Sequence, residues 1–104
     1  MRRGAGRAAP LLALALLAGC SRSTPPAPAD PATRAQMLIN AGNQAYHAGD
    51  YSLAARRYAA AAVVRKDDPV AYFGLGMALT KLGRDEDARA SYAKARELTQ
   101  ARRR

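Results

Sequence analysis

Residues 42–61, GNQAYHAGDYSLAARRYAAA, overlay on residues 76–95, GMALTKLGRDEDARASYAKA, at an offset of 34. Gly42 falls on Gly76, Gly49 on Gly83, Ala54 on Ala88, Tyr58 on Tyr92 and Ala61 on Ala95. Self-similarity at one fixed offset marks a chain built from stacked copies of a small unit. In each copy the small residues recur where two antiparallel helices would cross, so the backbones can approach closely. Larger groups fill the layers between them: Leu38, Tyr58 and Val64 in the first copy, and Tyr72, Leu75, Leu79, Tyr92 and Leu98 in the second. Helical period and helix pairing follow from the same pattern.

The punctuation agrees. Asp68-Pro69 puts an N-cap acceptor before a proline at the first helical position, and Ala48-Gly49-Asp50 and Leu82-Gly83-Arg84-Asp85 read as helix ends followed by new caps. Asp85, Glu86 and Asp87 bring negative charge to a helix's first turn, where the dipole favours it. These signals predict helices over 33–48, 51–66, 69–82 and 85–100, an all-α fold. Alanine at 26 of 104 positions, few β-branched residues and no Trp point the same way.

The spacing Gly-x6-Gly-x4-Ala-x3-Tyr-x2-Ala resembles the tetratricopeptide repeat. The resemblance covers residues 35–68 and 69–102 as two repeats and implies a short α-solenoid. Ala41 and Ala45 stand where that family has larger apolar residues, so the first helix pair is expected to be thinly packed. Two repeats fall below the three or so that such stacks generally need, which implies completion by self-association or by a partner.

Upstream of the repeats, Met1 to Arg7 carries three Arg and no acid, and Ala8 to Ala18 is apolar throughout. This is the layout of an export signal, and its apolar run is well short of the ~20 residues a membrane-spanning helix needs. Leu17-Ala18-Gly19-Cys20 resembles the lipobox of bacterial lipoproteins. That resemblance implies cleavage after Gly19 and a diacylglycerol on Cys20, with acylation of the freed amine. The alternative is an ordinary secretory signal with an incidental or structural thiol. Cys20 is the chain's only cysteine and has no internal disulfide partner, and two or three acyl chains would hold the protein firmly on a membrane. Ser21, rather than Asp, after the cysteine implies the outer membrane, facing the periplasm.

Residues 20–32 then form a lipidated cysteine and a Pro-rich tether, with SRSTPPAPADPA spanning roughly 37 Å at ~3.1 Å per residue. The folded domain is expected over residues 33–102. About 70 foldable residues bury only ~60% of their unfolded surface, too little for a large enzyme's cavity. The formal charge of +9 is concentrated at the ends: without Arg2, Arg3, Arg7 and Arg102 to Arg104 it falls to +3. A basic face spread for nucleic acid is not evident.

In the repeat family the first helix of each unit lines a concave groove. Carried over by position, the groove falls on Gln36, Ile39, Asn43, Tyr46 and His47, then Val70, Phe73, Met77, Thr80 and Lys81, of which Ile39, Asn43, Tyr46, Phe73, Met77 and Lys81 are expected to bind the partner. Its apolar centre suits an amphipathic helix or an extended peptide. The other reading makes Ile39 and Phe73 core residues of a short solenoid or an oligomer seam. The family's carboxylate clamp needs several Lys and Arg where only Asn43 fits.

No nucleophile-and-base set is found, since the one Cys is expected to be lipidated and His47 is the one His. Gly74-Leu75-Gly76 lies inside a helical pattern, not in a phosphate loop. The expectation is a non-enzyme with no cofactor, metal or small-molecule substrate. Its expected role is an envelope adaptor or assembly factor of the pilus, secretin or envelope-complex type. The competing reading is a self-assembling structural subunit; a cytoplasmic nucleic-acid binder would require the leader to be retained.

Overall fold

The protein is described by a computed structural model over residues 28–104. Cys20, the lipobox-like stretch and the tether up to residue 27 lie outside the described residues. Four helices follow one another: α1 Pro31–His47, α2 Tyr51–Val64, α3 Pro69–Lys81 and α4 Asp85–Arg102. The fold is all-α, two antiparallel helix pairs stacked as a short solenoid. α3 is the central element, packed on α4 and on α2 and touching α1. No described helix is long and apolar enough to cross a membrane.

The ends of the helices show why the chain turns where it does. Asp50 accepts a hydrogen bond from the Leu53 amide at 3.0 Å, and Asp68 accepts one from the Val70 amide at 3.0 Å. Gly49 and Gly83 adopt left-handed φ values of 81° and 75°. Just beyond each, an amide reaches back five residues, Asp50 to the Ala45 carbonyl and Arg84 to the Leu79 carbonyl, both at 2.9 Å. This is the Schellman closure, and it is the same in both pairs.

Two expectations need correction at these ends. Residues 31 and 32 belong to α1 and not to the tether, because Asp30-Pro31 is an Asp-Pro helix start like Asp68-Pro69: the Asp30 carboxylate accepts from the Thr33 amide at 2.7 Å. At α4 the helix starts at Asp85 as expected but without the expected side-chain cap, because the N-cap is Arg84 and makes no cap bond. Arg84 instead pairs with Asp87 at 2.6 Å.

The core is made largely of alanines around one ring. Ile39, Ala45, Ala54, Tyr58, Ala61, Ala62, Ala71 and Ala78 form the buried cluster. Tyr58, 1% exposed, is the largest fully buried side chain. It comes from α2 and meets glycines on both neighbours: a Cβ added at Gly42 of α1 would lie 2.8 Å from the ring, and one at Gly74 of α3 would overlap it outright. Gly76 makes the equivalent approach to Tyr92, also at 2.8 Å. The other large residues expected to fill layers divide: Leu79 is buried, while Leu38, Val64, Tyr72, Leu75, Tyr92 and Leu98 are half-buried.

The buried cluster draws on α1, α2 and α3, and α3 closes over the Tyr58 ring at Gly74, whereas Val70 and Phe73 leave the far side of the second pair open.

Candidate functional site

Tyr92 and Phe73 define the open side of the second pair. Phe73 is 53% exposed, and its ring meets that of Tyr92 edge-on, with centroids 5.5 Å apart and planes at 61°. Val70, also exposed, stands one helical turn before Phe73 on α3, and Ala95, Arg96 and Arg103 complete the α4 side. Together these residues line an apolar groove of about 680 Å³ between α3 and α4, with the two arginines on its rim.

The six positions expected to make one concave groove do not form one surface. Ile39 is corrected to a core residue: at 2% exposure, sealed in the cluster around Tyr58, it has no surface to offer a ligand. Asn43 is exposed but occupied, since its Oδ1 accepts a 2.5 Å hydrogen bond from the Tyr58 hydroxyl. Burial pushes the Tyr58 phenol above its ordinary value, with Tyr46 adding to the effect. A neutral hydroxyl is therefore the donor in that bond across the usual pH range.

Tyr46 and Lys81 come together at another place, around Tyr51. The Tyr46 and Tyr51 rings meet edge-on at 5.1 Å, and the Lys81 ammonium stands 5.8 Å from the centre of the Tyr51 ring. His47, exposed at the end of α1, borders this cluster with its ring 6.2 Å from that of Tyr46. An exposed cation over a ring is worth only ~0.5–1 kcal/mol. The patch is a polar-edged aromatic corner that joins the ends of α1 and α3 through the start of α2. Met77 is half-buried on α3, and Phe73 belongs to the groove facing α4.

Sequence reasoning missed most of this groove. Tyr92 and Ala95 were read as packing residues of the second repeat, Arg103 only as part of the charged chain end, and Arg96 went unremarked. The available signal was the offset of 34 itself: Arg96 takes the place of Ala62, an apolar position in the first copy and a charged one in the second.

Among the described residues no group of three or more His, Cys, Asp or Glu is placed to hold a metal ion. The acids Asp85, Glu86 and Asp87 are all exposed on the first turn of α4. No protein-family model matches the chain, and no curated protein matches it.

Proposed function

We propose that the protein is a lipid-anchored adaptor of the bacterial cell envelope, with two tetratricopeptide-type repeats that hold a partner protein near the membrane. The observation that carries this reading is the open apolar groove at Val70, Phe73 and Tyr92, where two exposed large apolar side chains stand against a half-buried aromatic ring. An exposed large aromatic at the centre of an apolar patch is a recognition feature far more than a solvation feature. Support for the anchor comes from the sequence: a basic start, an apolar run and the lone Cys20 directly after Leu17-Ala18-Gly19. The reading requires no catalytic group and includes none.

Two measurements test it. Intact mass of the chain recovered from bacterial membranes should show loss of Met1 to Gly19 and a gain matching diacylglycerol and an acyl chain on Cys20. A Cys20→Ser variant should leave the membrane fraction. Crosslinking in intact cells should then capture a heterologous envelope protein with the wild-type chain. A chain that keeps its N-terminal segment defeats the anchor; recovery of self-crosslinked copies alone defeats the adaptor and favours a self-assembling subunit.

A further inference from the structure

The two repeats present the same groove, and in the first repeat the groove is filled. α3 lies over α2, burying Tyr58, Ala61 and Ala62, and Ile39 of α1 is buried in the same cluster. The equivalent positions in the second repeat are Tyr92, Ala95, Arg96 and Phe73, which line the open groove. The occupant of the first groove therefore shows what shape fits the second. α3 has Ala71, Gly74 and Ala78 buried, and at Gly74 its backbone meets the Tyr58 ring so closely that no Cβ fits.

We infer that the α3–α4 groove receives a single helix from a different polypeptide, continuing the stack in trans, and that this helix presents small residues at the Ala71-x2-Gly74-x3-Ala78 spacing with acidic residues toward the rim. The inference deepens the adaptor reading and rests on it in taking the occupant to be a partner protein. The small central residue is needed so that a backbone can lie on the Tyr92 ring as α3 lies on Tyr58. The acidic requirement follows from the rim: Arg96 is exposed where the first repeat has buried Ala62, and Arg103 is exposed beside it. Opposite charge at a rim steers encounter and suppresses wrong partners.

A second copy of this chain fits poorly in either orientation. Head-to-tail stacking would insert α1, whose Met37, Asn40 and Gln44 occupy the places of Ala71, Gly74 and Ala78. Met37 is 61% exposed, and Asn40 is exposed while accepting a 2.9 Å hydrogen bond from the Gln36 amide group. The N-terminal face thus carries side chains at all three positions where α3 is small, and Asn40 would meet Tyr92 where only a glycine fits. Face-to-face pairing would bring a second set of the same arginines to the groove.

The test uses the full chain and a synthetic helix that carries the Ala-x2-Gly-x3-Ala spacing, flanking glutamates and one Trp. Because the chain contains no Trp, the peptide's indole fluorescence reports binding without background. Saturable binding is expected. It should weaken about tenfold or more when Leu replaces the peptide's central Gly, and likewise in Phe73→Glu or Arg96→Glu chains. Lys81→Ala, on the aromatic corner, should leave it unchanged. Circular dichroism melts confirm that the variants fold, and Val70→Glu serves as a second groove variant should Phe73→Glu unfold. No saturable binding, equal binding of the Gly and Leu peptides, or insensitivity to the groove variants overturns the inference. A concentration-dependent dimer of the chain, abolished by Phe73→Glu, overturns it in favour of a second copy. If crosslinking captures a heterologous protein equally with wild-type and Phe73→Glu chains, the adaptor reading stands and the groove assignment falls.

Discussion

The two repeats share a backbone plan and differ in what covers them. Ile39 and Tyr58 of the first repeat are sealed beneath α3, whereas Phe73 and Tyr92, at the same positions in the second, face the open groove. Position within a repeat therefore does not determine burial; the neighbouring helix does. This is the expected behaviour of a quasi-one-dimensional stack, in which each unit is stabilised chiefly through the interface with the next. The open end is where an additional interface adds most.

The largest effect that would break this comparison is at the paired tyrosines. Tyr58→Ala removes the one large side chain at the centre of an alanine core and leaves a cavity between Gly42 and Gly74, for a loss of about 3–5 kcal/mol. For a domain this small that is enough to abolish cooperative unfolding near room temperature. Tyr92→Ala, made at the open end, should cost about half as much. Chemical denaturation of both variants checks the ratio, and equal losses would mean that α3 protects the first ring no better than solvent protects the second.

A smaller difference is expected at Ile39 and Phe73. Ile39→Ala should cost about 2–4 kcal/mol, as for a buried aliphatic truncation. Phe73→Ala should cost less than about 1 kcal/mol, since half of the ring is already in water and its main partner is Tyr92. If Phe73→Ala proves as damaging as Ile39→Ala, the groove is closed in solution and Phe73 is a core residue after all.

These positions also show how far the sequence carries. The four helices were legible to within two residues at each end, because Asp-Pro starts, left-handed glycines and the offset of 34 are local signals with local causes. That Gly42 and Gly76 stand at a close approach was legible for the same reason, since it repeats; that the approach is to a tyrosine ring was not. Gly74 was not, because its counterpart at the offset is Asn40 and no periodic argument singles it out. Its role comes from α3 crossing α2, a contact between repeats that neither repeat contains. Ile39 stood between groove and core for the same reason: its position in the unit does not say which helix covers it, and here the core reading holds for Ile39 and not for Phe73. Of the two alanines that suggested a thin first pair, Ala45 lies in the buried cluster with Tyr58 and Ala41 is half-buried outside it.

The caps allow a comparison of another kind, between helices whose first turn is closed by a carboxylate and the one whose first turn is not. Asp30, Asp50 and Asp68 each accept an amide hydrogen bond, while Arg84 offers none to α4. Arg84→Ser should therefore stabilise the protein by about 0.5–1 kcal/mol, the gain from a new cap outweighing the exposed pair with Asp87. A rise in thermal midpoint of a few degrees would show it; a fall would mean that the Arg84–Asp87 pair holds the loop better than a cap would.

The smallest expected effect lies at the start of α1 and is a matter of pH. Hydrogen bonding from the Thr33 amide, and then from its side chain, holds the Asp30 carboxyl below its ordinary value of 3.8. A carboxylate with a lowered folded-state pKa stabilises the fold at pH values above its unfolded pKa. That contribution fades as pH falls through the folded value, when the protonated acid becomes a poorer acceptor. The first turn of α1 should accordingly fray in acid, ahead of the caps' neighbours in the core, as read from the Thr33 amide's exchange with solvent. Asp30→Asn keeps a capping oxygen that does not titrate, so its amide protection should hold through the same range. Protection at Thr33 that falls identically in both proteins would assign the acid sensitivity to the packing of α1 on α2 and not to its cap.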